Sequence, residues 1–208
     1  MFHERGYDAV GLAALTERLD IRPPSFYAAF GSKAGFFERV LERYTTTVLP
    51  LETILRPGRP PAEAMTELLE SAARSYAANP GARGCLVLET SRSCADEESA
   101  ALARRTADRK RGEVRDFVAA THPAVADAVR DVVANTMAGL SFSAREGWSV
   151  ERLVAVAHIA ANGVRTLLEE GGNRTPVPRR QLEAPGQQPP GDPVKVGAGS
   201  SASSGARR

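Results

Sequence analysis

The chain has 208 residues, 42% hydrophobic and 25% charged, the balance of a globular protein of one or two domains. No apolar run reaches the ~20 residues that span a bilayer, and the opening MFHERGYDAV lacks the basic start and apolar core of a signal peptide, so the chain reads as cytoplasmic. The net charge of +2 says nothing about a basic binding face, because the stretch after Gly171 carries six basic residues against two acidic ones and leaves the rest at −2.

Residues 12–19 predict a short helix, with Leu12, Leu15 and Leu19 on one side and Gly11 at its N-cap. Residues 20–22 form a tight turn. A second helix begins at PPSFYAAF, where Pro23 takes the first helical position without losing a hydrogen bond and Pro24 stays within the first turn. Two short helices joined in this way make a helix-turn-helix, whose second helix enters the major groove with its N-terminal residues at the base edges. Phe26 and Phe30, four residues apart, are assigned to the core. Tyr27 lies on another face, with its hydroxyl free to reach a phosphate oxygen, and Lys33, at the start of the next helix, can bring a positive charge to the same backbone. Periodicity alone describes a plain helical hairpin with core aromatics equally well.

Phe36, Phe37, Val40, Leu41, Tyr44 and Val48 extend a helix from Lys33 into the low fifties, with Pro50 placed to kink it. After the loop RPGRPP, a helix follows through Ala62, Met65, Leu68, Leu69, Ala72 and Tyr76 and ends at NPGARG. CLVLETSRS is a short apolar segment, and DEES then opens a long helix through Leu102, Val114, Phe117 and Val118. THP ends that helix and starts another at Pro123, and REGWS separates it from a last helix running from Val150 to Leu168. No strand-like alternation competes, so the fold class is all-α. From 172 to 208 the chain is rich in Gly, Pro and Ser, too poor in large apolar residues to offset its ordering entropy, and is assigned as a disordered tail.

Chemistry-bearing constellations are sparse. Cys85 and Cys94 are nine residues apart, on roughly opposite faces of any shared helix, and read as two reduced thiols. His3, His122 and His158 show no metal-ligand spacing. There is no Gly-rich phosphate loop and no nucleophile with an evident base, so neither an enzyme nor a cofactor or metal site is expected.

The pattern FxxxGY…LTxxLxIxxPSFYAAFGSK…F resembles the DNA-binding signature of the TetR family of bacterial transcriptional regulators. Phe2, Gly6, Tyr7, Leu15, Leu19, Ile21, Pro24, Ser25, Phe26, Tyr27, Phe30, Ser32, Lys33 and Phe37 carry the match. RGCLVLETSRSCADEES is similar to a segment of one branch of that family. The resemblance implies a ligand-responsive regulator, a repressor by expectation. It would bind a near-palindromic double-stranded operator as a homodimer and be released or repositioned by a small-molecule effector. Within a helix-turn-helix spanning 11–30, Arg22, Pro23, Pro24 and Ser25 would form the groove-facing tip, with Tyr27 and Lys33 on phosphates.

Three departures stand out. Asp20 replaces the usual turn glycine, at small cost because aspartate tolerates the left-handed conformation. Arg22 replaces the usual capping residue, losing a cap worth ~1 kcal/mol while placing a guanidinium at the groove. The family's first helix normally begins two or three turns earlier, so the expectation is a start lying upstream of Met1. Residues 1–49 carry six basic and six acidic side chains, a neutral balance for a head whose affinity rests on phosphate contacts.

The expected plan is a DNA-binding domain over 1–49, a helical ligand-binding and dimerisation domain over 50–171, and the tail. Met65, Tyr76, Cys85, Glu89 and Phe117 are candidate pocket residues. The last two helices, 123–147 and 149–171, are expected to pair across a dimer axis through Ala126, Val129, Val133, Met137 and Leu140 on one and Val150, Val154, Ala157, Ala161 and Val164 on the other. The alternative is a helical small-molecule-binding or dimerisation module that does not bind DNA.

Overall fold

The structure, a computed structural model, describes residues 1–172. Among these, ten helices follow in order: α1 (Phe2–Arg5), α2 (Leu12–Leu19), α3 (Pro23–Phe30), α4 (Lys33–Thr47), α5 (Leu51–Ile54), α6 (Pro61–Ala77), α7 (Leu86–Ser93), α8 (Glu97–Ala119), α9 (Ala126–Arg145) and α10 (Val150–Gly172). The all-α class holds. The tail assigned to 172–208 lies outside the described residues, apart from Gly172 at the end of α10.

The helix at the centre is α6, and its sequence shows why. Ala64, Met65, Leu68, Leu69, Ala72, Ala73 and Tyr76 are all buried, an apolar surface wide enough to take neighbours on two sides. Accordingly α9 and α10 both pack on α6 and on each other, while α8 lies against α7, α9 and α4. Its small residues let the neighbouring backbones approach closely.

Three boundaries differ from the sequence expectation. The helix starting at Lys33 ends at Thr47, and Leu51–Ile54 form a separate single turn. Leu49 precedes Pro50, whose ring crowds a helical conformation at the residue before it, so the chain breaks there and does not merely kink. The segment CLVLETSRS is helical as α7, with Cys85 as N-cap and Cys94 as C-cap, so the cysteines bracket the helix and neither sits on a face of it. Finally, α9 begins at Ala126 and not at Pro123. The His122 carbonyl accepts from the Val125 N–H at 3.3 Å, closing a turn before the helix starts.

Seven of the ten residues assigned to a dimer seam are corrected by the packing, while Met137, Val150 and Val154 are only partly buried. Ala126, Val129, Val133 and Leu140 of α9, with Ala157, Ala161 and Val164 of α10, are buried within the protomer. A small and β-branched stripe suits packing on α6 as well as it suits a second copy. The apolar side chains that α9 and α10 leave exposed are Val132, Phe142, Val156 and Ile159, the last 74% exposed. His158 of α10 makes a polar contact with the central helix. Its Nε2 lies 3.2 Å from Glu70 Oε2 on α6.

Candidate nucleic-acid interface

The candidate interface is built from α2, α3 and the start of α4. Leu15 and Thr16 are the buried residues of α2. The Thr16 hydroxyl donates back to the carbonyls of Leu12 and Ala13, which satisfies it without a distant partner. Asp20 then turns left-handed at φ 54° and ψ 45°, as expected for a residue standing where a turn glycine is usual. The Ile21 N–H donates to the Thr16 carbonyl at 3.0 Å and the Asp20 N–H to Glu17 at 3.2 Å, closing the end of α2 and aiming the chain into α3.

Arg22 is the extended N-cap of α3 and makes no side-chain cap, while Pro23 and Pro24 occupy the first turn. Phe26 is 0% exposed and anchors the helix. Its ring centroid lies 5.0 Å from that of Phe30 and 5.4 Å from that of Phe36. Phe30 is only half-buried, packed 4.8 Å from Phe36, so of the two expected core aromatics Phe26 carries the burial. A second aromatic group, Phe2, Tyr7 and Phe37, closes the head from the α1 side, with centroids 5.0–5.5 Å apart.

With Phe26 turned inward, the opposite surface of α3 is open. Arg22, Pro23, Pro24 and Ser25 are all exposed, and Tyr27 is 52% exposed. The spacing of α3 from α4 is set by Gly35, where a methyl group would collide with the Phe30 carbonyl oxygen. Ser32 caps α4 there, its hydroxyl accepting from the Gly35 N–H at 2.9 Å.

Lys33 is placed differently from the tip residues. Its ammonium donates to the Tyr7 carbonyl at 2.8 Å and sits over the Tyr7 ring, 3.9 Å from the centroid. One of its three N–H donors is therefore already used inside the head.

Toward its C-terminal end, α4 leaves the head and lines a cavity of about 110 Å³ with residues of α6, α7, α8 and α9. Tyr76 and Cys85 line it, as anticipated. Met65, Glu89 and Phe117 do not; Met65 is core, and Glu89 pairs with Arg145 at 3.5 Å. The contributions of Tyr44 and Val48 from α4, and of Val133 and Met137 from α9, escaped the sequence reading. Their only signal was a place in an apolar helical stripe, which core residues share.

Residues of the first ten also meet α4 and the end of α7 through side chains. The His3 ring lies edge-on to Tyr44, with centroids 5.5 Å apart. Burial lowers the His3 pKa from its ordinary value, and nearby Arg145 adds to that. Asp8 accepts from the Ala95 N–H at 2.9 Å, just after α7. Among the described residues, no cluster of three His, Cys, Asp or Glu side chains is arranged to hold a metal, and no helix is long and apolar enough to cross a membrane.

Residues 1–40 match the family described as bacterial regulatory proteins, tetR family. The chain is 45% identical over 171 residues to the HTH-type transcriptional repressor BdcR of Escherichia coli K12, covering 82% of this chain and 86% of that one. It is 25% identical over 174 residues to the HTH-type transcriptional repressor ComR of the same organism, covering 76% and 80%. Among solved structures it is similar to a cysteine mutant of the TetR family transcriptional regulator CifR complexed with 26-base-pair double-strand operator DNA. The TM-score is 0.63 at 32% identity, covering 77% of this chain and 90% of that one.

Proposed function

Because the chain belongs to the TetR family of bacterial regulatory proteins, it is a DNA-binding transcriptional repressor, and we propose the following use of its surfaces. Residues 1–49 form the DNA-binding head and 50–171 the ligand-binding and dimerisation body. Two copies place their α3 helices in the major groove at the half-sites of a near-palindromic operator, about one helical turn apart. Arg22, Pro23, Pro24 and Ser25 face base edges, while Tyr27 and Lys33 hold phosphates. A small molecule in the cavity shared by α4 and α6–α9 releases the protein from DNA. Acting on the chromosome, the protein works in the cytoplasm, and it carries no catalytic activity of its own.

The observation that carries this reading is the two-sided build of α3, with Phe26 fully buried and the whole Arg22-to-Ser25 tip exposed. A plain helical hairpin has no need of an exposed, proline-stiffened helix tip. The module without DNA binding is accordingly not favoured.

Second-copy contact is supported by the stripe Val132, Phe142, Val156 and Ile159, apolar yet exposed. Gly139 and Gly163 lie on the same two helices with open space at their Cα atoms, which allows close approach of a partner helix.

The test is fluorescence anisotropy on duplexes recovered by in vitro selection with the full chain. Selection should return sequences with two related half-sites. Affinity should fall with salt, each phosphate neutralised by a basic side chain contributing about 0.9 to the logarithmic slope. Recovery of no enriched sequence would remove the reading.

A further inference from the structure

The polar groups inside the cavity define what it takes. We propose that the effector is a small, uncharged, mainly apolar molecule carrying one oxygen acceptor of the ketone type, its oxygen held by the hydroxyls of Tyr76 and Tyr44. This rests on the reading of that cavity as the effector site.

Tyr76 is 1% exposed and lines the cavity, and among the described residues its hydroxyl has no hydrogen-bond partner. A buried hydroxyl without a partner is costly, and such groups in folded proteins call for an explanation. The Cys85 thiol lies beside it, but a thiol sulfur is only a weak acceptor and does not replace an oxygen. Tyr44 lines the same cavity. Its hydroxyl oxygen accepts from the Leu86 N–H at 3.3 Å, which leaves its own proton to donate. Burial raises both phenols above their ordinary range, so both remain O–H donors at neutral pH. Two phenol donors on one cavity, both beside the Cys85 thiol and neither with an oxygen acceptor among the described residues, match the two lone pairs of a carbonyl.

The remaining surface is apolar inside, with charged side chains only at its border. Leu68, Val87, Val114 and Met137 line the interior. The cations that border it are already paired: Lys110 with Glu113 at 2.9 Å, Arg111 with Asp108 at 2.6 Å, and Arg130 with Asp127 at 2.8 Å. A carboxylate entering the apolar interior would lose its water, and to gain a countercharge it would have to draw one of these border cations away from its present partner. Size gives a scale: an apolar cavity of about 150 Å³ takes benzene, so the space of about 110 Å³ here matches a molecule of roughly one six-membered ring.

The test is titration calorimetry of the full chain with cyclohexanone and cyclohexanecarboxylate, with operator release measured separately by anisotropy. Cyclohexanone should bind at least tenfold more tightly than the carboxylate. Tyr76→Phe should weaken the ketone at least tenfold, and should raise the melting temperature of the unliganded protein by removing the unpaired hydroxyl. Tyr44→Phe should weaken the ketone by a smaller factor. Preference for the carboxylate, or ketone binding indifferent to Tyr76→Phe, overturns the proposal. Ketone binding that depends on Tyr76 but leaves operator affinity unchanged upholds the ligand class and overturns the effector reading instead. Absence of ketone binding in a chain that still binds operator overturns the ligand class alone.

Discussion

The Lys33 ammonium joins two parts of the head that lie 26 residues apart in sequence: it donates to the Tyr7 carbonyl at 2.8 Å and stacks on the Tyr7 ring. A residue proposed to hold a phosphate is thus also a brace between the first turn of α4 and the segment entering α2. Lys33→Ala should therefore lower stability by about 1–3 kcal/mol, from the lost charge-assisted bond and cation–π contact. It should also weaken operator and random DNA equally, reducing the salt slope by about one unit. Thermal melts and anisotropy on both duplexes report the two effects. Unchanged melting with unchanged DNA affinity would remove both roles.

Arg22 has no cap bond to lose, because its side chain makes none. If it reads a guanine, Arg22→Ala should cost about 1–3 kcal/mol on operator and nothing on random DNA. Tyr27→Phe should instead cost the same on both. Competition binding with the two duplexes decides between base and phosphate contact for each residue.

Two glycines in helices should respond in opposite senses to alanine. Gly35 has no room, since a methyl would meet the Phe30 carbonyl oxygen, and Gly112 on α8 has open space. Gly35→Ala should destabilise by about 1–3 kcal/mol and disturb DNA binding by displacing α3. Gly112→Ala should stabilise by about 0.5–1 kcal/mol, as expected for an unobstructed helix interior. Urea denaturation of both variants checks the contrast.

His3 predicts a pH dependence of stability. Burial favours its neutral form in the folded state and lowers its pKa, so the unfolded chain binds the proton more readily. The stabilisation is complete above the ordinary histidine pKa of about 6.5 and is lost as pH falls through the lowered value. The neighbouring positive charges, Arg145 and the N-terminal amine, act in the same direction. Denaturation midpoints measured between pH 8 and pH 5 should fall more steeply for the parent than for His3→Gln. Parallel curves would show that His3 does not contribute.

Among the described residues Ile159 is the most exposed of the large apolar side chains. Ile159→Asp should convert a dimer at micromolar concentration to a monomer, and operator affinity should fall with it, since one half-site binds alone. Sedimentation equilibrium reads the first effect and anisotropy the second. A variant that stays dimeric would place the seam elsewhere.

The helix-turn-helix was the most legible part of the sequence. The bounds of α2 and the start of α3 follow from the residues that begin and end them, and the left-handed Asp20 follows from the chemistry of its side chain. The exposure of Arg22 through Ser25 was also readable, because an inward Phe26 determines which surface of so short a helix points out. Pro50 marks the disturbance in the sequence as a kink, and the crowding of Leu49 turns it into a full break.

Other features were set by contacts distant in sequence. The stripes of α9 and α10 were recognisable as apolar, but whether they meet α6 or a second copy depends on where α6 lies, and no local spacing encodes that. The pairing of Lys33 with Tyr7 arises only when α4 folds back on the first turn of the head. The cavity is likewise a property of the assembled body, because Tyr44, Tyr76 and Met137 converge from three helices that are far apart along the chain. Capping, turn chemistry and periodicity act within a few residues and can be read from the chain itself. Which of two apolar faces is covered, and which buried hydroxyl is left without a partner, is decided by non-local packing, and only the tertiary structure shows it.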